Sequence, residues 1–320
     1  MAPEDAITYF FIFLISFEQY PINYILRMRH CSWSGLVLLL FFFACQSAPD
    51  TNSVENDTDL EEYGIAPRKG VLPSSQKAYY LLDQTAPQSY ENPIDVADSL
   101  RNHFQLAKAL QIYNSILEHD PHNYPTLWRK SVTVSEMGFL LTNLSIKEDY
   151  YTEALHLAKR ALGIEPNGIG AHFAMALALN RMESVVDDHR KITFAVKMKR
   201  HAETVLRKDS TYHYAWYLLG SWSYDFAGLS ESDRSVAQSL FGTEEIDNAT
   251  YDHATEYFLK ALKYDPNNEV YNYHAAMAHL QVGHEEEALA FLRKAVQEEI
   301  DAEKEQEFIR NFNLMVTGHE

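Results

Sequence analysis

From about residue 94 onward the chain repeats one pattern, apolar positions at helical spacing followed by a short polar break. The run YYTEALHLAKRAL (150–162) is typical, with its apolar residues falling on one helix face. The pattern predicts helix pairs at about 94–118, 123–163, 168–208, 211–264 and 268–298, and a terminal helix at 301–314. No stretch beyond residue 75 alternates as a strand would. The breaks share a closing phrase: SILEHDPHN ends near Pro121 and RALGIEPNG near Pro166, while TVLRKDSTY near Asp209 lacks the proline. Proline suits these places because it cannot continue a helix. An all-α chain is expected.

The apolar positions also repeat in kind. Residues 254–266, ATEYFLKALKYDP, carry Ala254, Phe258, Ala261 and Pro266. Residues 216–220, WYLLG, carry Trp216, Leu219 and Gly220. Together they match the second-helix and first-helix signatures of a tetratricopeptide repeat. Small residues let paired helices approach, and large ones fill the seams between repeats. A further copy supplies Gly283, Ala288, Leu292 and Ala295. The expected fold is a tetratricopeptide-type α-solenoid of about five helix hairpins. The closing phrases lie further apart than the usual repeat of about 34 residues. The excess is expected as insertions between paired helices, at 182–192 and 227–249.

The N-terminal region follows another pattern. GLVLLLFFFACQSAPDTNS (35–53) passes from apolar to polar at Cys45. Arg29 precedes the apolar run from Gly35 to Phe43, and small Ala44 precedes the cysteine. A basic start, a short apolar run and a small residue before the cut make a secretory signal. The run is too short for a span of roughly 20 residues. It resembles a bacterial lipoprotein signal over 28–44, with Phe42 where leucine is commonest. Cys45 is then the lipidated first residue of the mature chain, and the acidic 45–75 segment is a disordered tether to a repeat domain at 76–320. Residues 1–27 read as upstream sequence from too early a start codon. The alternative is a membrane hairpin of 7–26 and 35–44, whose first arm Glu18, Gln19 and Pro21 interrupt.

Composition narrows the function. A net charge of −18 over 320 residues argues against nucleic acid and against adhesion to anionic lipid. Cys31 and Cys45 are the only cysteines, so the repeat region holds neither disulfide nor thiol nucleophile. No H-E-x-x-H motif and no glycine-rich phosphate loop occurs. His274, His279 and His284 recur every five residues, a spacing that scatters them around a continuous helix instead of gathering them as metal ligands. HEEEA (284–288) puts carboxylates at a helix start, where they suit the dipole. Asp187 and Asp188 read as solvated loop charge. No catalytic residue, metal or cofactor is expected.

The stretch LLGSWSYDFAGLSESDRSVAQSLFG (218–242), followed by YDHATEYFLKALKYDPN, is similar to the regulator of microtubule dynamics family, whose repeats carry an AGLS…LFG insertion at this place. LWRKSV (127–132) is similar to the family's WR in its second helix pair, and the resemblance covers roughly 95–298. It implies the fold. The family's eukaryotic members are linked to microtubules and membrane contact sites, with lipid binding proposed for one. The lipoprotein signal implies a bacterial relative, to which the microtubule activity is not carried over.

Tetratricopeptide arrays bind along the concave face, lined by first helices. Aligned on their signatures, four successive first helices place an aromatic at the fifth position: Trp128, Phe173, Tyr217 and Tyr273. Four and seven residues on stand Ser221 and Tyr224 in one helix, and Leu177 and Asn180 in another, with Arg181 beside them. These residues form either a semi-aromatic groove for a peptide or acyl chain, or ordinary packing between repeats. The expected protein is a lipid-anchored interaction scaffold at the bacterial cell envelope, an outer membrane lipoprotein binding protein partners. The alternatives are a lipid-binding or lipid-transfer groove, an envelope assembly factor like the tetratricopeptide lipoprotein of the barrel-assembly machinery, and an enzyme built around Ser230, Asp233 and Arg234 in the 227–249 loop.

Overall fold

A computed structural model describes residues 92–296. The lipidation site Cys45, the signal, the tether and the terminal helix at 301–314 lie outside the described residues. Within them the chain forms twelve helices and no strand. These are α1 (Pro93–Asn102), α2 (Leu106–His119), α3 (Tyr124–Phe139), α4 (Leu144–Ile164), α5 (Ile169–Glu183) and α6 (Asp188–Lys208). Then come α7 (His213–Ala227), α8 (Glu231–Phe241), α9 (Thr243–Asp247), α10 (Tyr251–Tyr264), α11 (Glu269–Gln281) and α12 (Glu285–Val296). The pairs α1–α2, α3–α4, α5–α6, α7–α10 and α11–α12 pack as five hairpins, each against its neighbour in the row.

The closing phrases are one local device used four times. In each, the residue after the second helix returns its N–H to the last helical turn: Asp120 to Ile116, Glu165 to Ala161, Asp209 to Val205 and Asp265 to Ala261. Three residues on, the chain bonds back to the same residue, at Asn123, Gly168, Tyr212 and Asn268, and the next first helix begins. Asn123 and Asn268 also cap that helix through their side chains. Where proline is missing, Thr211 restores the turn by donating its hydroxyl to Asp209 at 2.6 Å.

Between paired helices the chain closes tightly because small residues face rings. A methyl group at Gly220 on α7 would stand 2.5 Å from the ring of Phe258 on α10. One at Gly138 would stand 2.6 Å from Tyr151, and one at Gly170 would stand 2.5 Å from Trp128 of the preceding repeat. The buried apolar side chains fall into three clusters among the described residues. The largest runs from Ala97 to Ala249, a second joins α10 to one face of α11, and a third joins the other face of α11 to α12.

The repeat length is taken up differently from the expectation. Residues 182–192 are not an insertion: α5 runs to Glu183 and α6 starts at Asp188. The excess is additional helical turns, since α4 and α6 are 21 residues each. Asp187 caps α6 through Arg190 N–H and pairs with the Arg190 guanidinium at 2.6 Å, so its charge belongs to a helix start. The 227–249 segment is an insertion, folded as α8 and α9.

Candidate functional site

First helices line the inner face of such an array. Here α3 and α5 lie against each other, whereas α7 meets α5 and α11 at only a few positions. Aromatic rings bridge the wider gaps. Phe173 on α5 contacts Tyr212 at 4.8 Å and, edge-on, Tyr214 at 5.4 Å. Tyr217 on α7 stacks on Tyr271 of α11 at 4.9 Å and meets His274 edge-on at 5.3 Å. Its hydroxyl lies 3.3 Å from His274 Nε2, to which it donates when that nitrogen is unprotonated.

Each aromatic read from the sequence has a defined place. Trp128 covers Gly170, Phe173 and Tyr273 are buried, and Tyr217 is half-buried. Tyr273 stands edge-on to His274 at 5.6 Å. Tyr224 accepts a hydrogen bond from Gln281 Nε2 at 3.2 Å and meets Tyr251 edge-on. Asn180 is half-buried on the last turns of α5. Trp128, Phe173, Tyr217 and Tyr273 stand on four successive hairpins, so the set runs along the row and does not converge on one point.

Apart from Arg181, the sequence reading missed a polar row beside these rings. Eight positions beyond each aromatic stand Glu136, Arg181, Asp225 and Gln281. They lie one step past the fourth and seventh positions, so extending the same register would find them. Glu136 Oε1 pairs with Arg101 at 3.2 Å. Arg181 spreads over the Phe139 ring at 4.3 Å and donates to the Tyr214 hydroxyl at 3.4 Å. Five polar atoms on this face are buried with no hydrogen-bond partner among the described residues: Arg101 Nε, Glu136 Oε2, Arg181 Nε, Glu183 Oε1 and Ser221 Oγ. All five side chains are half-exposed as a whole. A native buried polar atom without a partner calls for an explanation, such as a ligand or water.

Electrostatics describe the same concavity. Burial pushes the Glu183 carboxyl well above the usual carboxylate range, and nearby Asp225 adds to this against Lys191. Burial raises the Glu136 carboxyl too, against the pull of Arg101 and Arg181. It raises the Tyr217 hydroxyl and lowers His274 to about 4. Glu183, Tyr217 and His274 nonetheless keep accessible surface. Each is desolvated on most sides while keeping some contact with solvent.

The residues singled out for catalysis or metal binding have structural occupations. Ser230 caps α8, accepting from Asp233 N–H at 3.1 Å and bonding its carboxylate at 2.6 Å. Arg234 donates to the carbonyls of Phe226 at 2.6 Å, Ala227 at 3.3 Å and Ile246 at 3.3 Å, tying the insertion to the end of α7. His279 and His284 do come together, with rings 5.8 Å apart, which corrects the angular reasoning from the sequence. The helix ends at Gln281, and Gly283, at φ +79°, turns His284 back so that its N–H reaches the His279 carbonyl at 2.9 Å. His279 then stacks on Phe291 at 5.2 Å. Among the described residues no group of three or more His, Cys, Asp or Glu side chains is placed to hold a metal. No helix among them is long and apolar enough to cross a membrane.

Comparison with known proteins adds kinship. Regulator of microtubule dynamics protein 1 of Pongo abelii is 28% identical over 212 residues, covering 65% of this chain and 62% of that protein. The Homo sapiens protein 1 is 34% identical over 118 residues, 36% of each chain. Regulator of microtubule dynamics protein 2 of Rattus norvegicus is 28% identical over 186 residues, 56% of this chain and 45% of that one. The chain thus spans less than two thirds of the length of these relatives. Among solved structures, the tetratricopeptide protein TTC0263 of Thermus thermophilus aligns with 70% of this chain and 98% of its own at TM-score 0.46 and 16% identity. YrrB, described as a tetratricopeptide protein with an unusual peptide-binding site, aligns with 74% of this chain and 98% of its own at TM-score 0.38 and 15% identity. A family model described as regulator of microtubule dynamics protein 1-3 matches residues 94–317, well over half of the 320, and the chain belongs to that family.

Proposed function

We propose that this protein is a lipid-anchored scaffold of the bacterial cell envelope that captures an extended segment of a partner protein along its first-helix groove. The observation that carries the groove reading is the row of unpaired polar atoms. Guanidinium donors (Arg101 Nε, Arg181 Nε) alternate along it with carboxyl oxygens (Glu136 Oε2, Glu183 Oε1). An extended peptide presents both N–H and C=O groups and satisfies such a row after small side-chain rotations. An acyl chain presents neither, and would cover the rings while leaving the polar atoms unpaired. The anchor reading rests on the sequence around Cys45. Anchoring raises the effective concentration near membrane-bound partners, so a modest groove affinity suffices.

Affinity capture from intact membranes tests both halves with the full chain. Ser221→Trp, which fills the groove between α7 and its neighbours, is expected to lose the partner while the protein stays in the membrane fraction. Cys45→Ser is expected to move the protein to the soluble fraction while the groove still binds a partner supplied in solution. Undiminished capture by Ser221→Trp refutes the groove, and unchanged fractionation of Cys45→Ser refutes the anchor.

A further inference from the structure

We propose that the edge of the array formed by the turns within hairpins lies against a lipid bilayer and inserts its protruding apolar side chains below the head groups. The inference goes beyond the groove and shares with the proposed function only its membrane half. The first helices end along this edge. Arg101 at the end of α1 pairs with Glu136 near the end of α3 at 3.2 Å, and Arg181 near the end of α5 lies on Phe139 of α3 at 4.3 Å. Gln281 at the end of α11 donates to Tyr224 near the end of α7 at 3.2 Å. Arg234 holds α8 to the last carbonyls of α7, so the insertion joins the same edge. Of the nine large apolar side chains exposed among the described residues, six stand here. They are Phe104 in the α1–α2 turn, Leu140, Leu144 and Ile146 around the α3–α4 turn, and Val236 and Leu240 one helical turn apart on α8. Single exposed apolar residues are ordinary, but their gathering on one edge is not. Phe104 is the extreme case, 86% exposed and at φ +57°. Its N–H reaches the Arg101 carbonyl and Gln105 N–H reaches the Leu100 carbonyl, a helix-ending turn in which glycine is usual. A phenylalanine there accepts backbone strain and gains no burial inside the protein in return.

Charge separates this edge from the opposite one. In a chain of net charge −18, residues 102–107, 137–146 and 235–243 contain no Asp, Glu, Lys or Arg. The turns between hairpins each carry a carboxylate, at Asp120, Glu165, Asp209 and Asp265. Charges that flank the protrusions are of both signs, Lys108 and Lys147 against Glu231 and Glu244, and suit zwitterionic head groups. The protrusions themselves match the neutral apolar layer beneath, where binding scales with inserted apolar area and needs no anionic lipid. Three separate protrusions suit a bilayer, which yields to each of them, better than a protein, which needs one contiguous complementary patch. Residues 45–91, between the proposed anchor and α1, hold the fold within reach of the membrane, so a small inserted area suffices.

The test places the photocrosslinking residue benzoylphenylalanine, one position at a time, in the full chain on phosphatidylcholine vesicles. Phe104, Leu140 and Leu240 are replaced on the edge, and the exposed Ile164, Leu259 and Tyr264 elsewhere. Lipid adducts, read by mass spectrometry, are expected at the first three positions and several-fold less at the other three. Leu140→Glu with Leu240→Glu, both at exposed sites, should cut the adduct at position 104 several-fold, whereas Leu259→Glu should leave it unchanged. Equal yields from the two sets overturn the proposal, as does an edge that crosslinks in native membranes to a protein instead of lipid. Adducts at no position overturn it too. If the chain then still sediments with the vesicles, the anchor stands and the edge alone fails; if it does not, the anchor fails with it.

Discussion

Replacing Gly220 by alanine pits two opposing effects against each other at one atom. In a helix interior alanine is favoured over glycine by about 1 kcal/mol. At Gly220 the new methyl would sit 2.5, 2.6 and 3.0 Å from three carbons of the Phe258 ring. That ring is fully buried on α10 and lies against Tyr217 and His274, so it has no open side to retreat into. Overpacking a rigid core typically costs about 1–3 kcal/mol. The clash should cancel or outweigh that gain, for a net loss of up to about 2 kcal/mol, or a few degrees in melting temperature for a domain of this size. Gly163 is the internal control: also helical, on the exposed last turn of α4, with nothing within 4 Å of the added methyl. Gly163→Ala should stabilise by up to about 1 kcal/mol. Urea denaturation followed by circular dichroism separates the two. The double variant Gly220→Ala, Phe258→Leu should cost less than the sum of its parts, because the smaller side chain vacates the contested space. Gly220→Ala as stable as Gly163→Ala would refute the close approach of α7 and α10.

Three further outcomes are expected. His172 and His201 face each other through Nδ1 atoms 2.8 Å apart, and burial lowers both, His201 to about 4, as it does His274. A folded pKa below the unfolded one means the unfolded chain binds more protons, so stability should hold above about pH 6.5 and fall as pH drops toward 4. His201→Gln should flatten that slope in melting curves taken between those limits. Tyr113 donates to Asp98 at 2.5 Å, and Asp98 also accepts from Arg129 at 2.7 Å, fastening α2 and α3 to α1. Tyr113→Phe should cost about 1–2 kcal/mol in urea denaturation, and no loss would mean that the Asp98 carboxylate is readily rehydrated. Arg234→Met removes three bonds to carbonyls and should speed proteolysis and hydrogen exchange within 230–248 while leaving the other hairpins protected. Uniform loss of protection along the array would count against a local latch.

The hairpins were legible because their causes are local. Apolar spacing, the Asp-Pro and Glu-Pro turns and the Trp216–Gly220 and Ala254–Phe258 signatures each act within a few residues, and Gly220 does meet Phe258. The extra turns of α6 were not legible, since SVVDDHRK is polar enough to read as a loop until Asp187 is seen capping Arg190 N–H. The approach of His284 to His279 depends on one left-handed glycine, which breaks the helical geometry the spacing argument assumed. Of the groove, the aromatic row was readable by register. The polar row was within reach of the same register, but which of its atoms lack a partner was not, because that is a property of the packed neighbourhood and leaves no mark in residue order.

The division of the apolar interior into three clusters bears on how the molecule comes apart. Coupling along such an array passes only between neighbours. The two small clusters, one between α10 and α11 and one inside the α11–α12 hairpin, are natural breakpoints, the first joined to the large cluster only through shared half-buried rings such as Tyr214, Trp216 and Tyr217. Pulled from its C-terminal end, the array should unzip in discrete steps, releasing α12, then α11, while the stretch from Ala97 to Ala249 yields last and as a block.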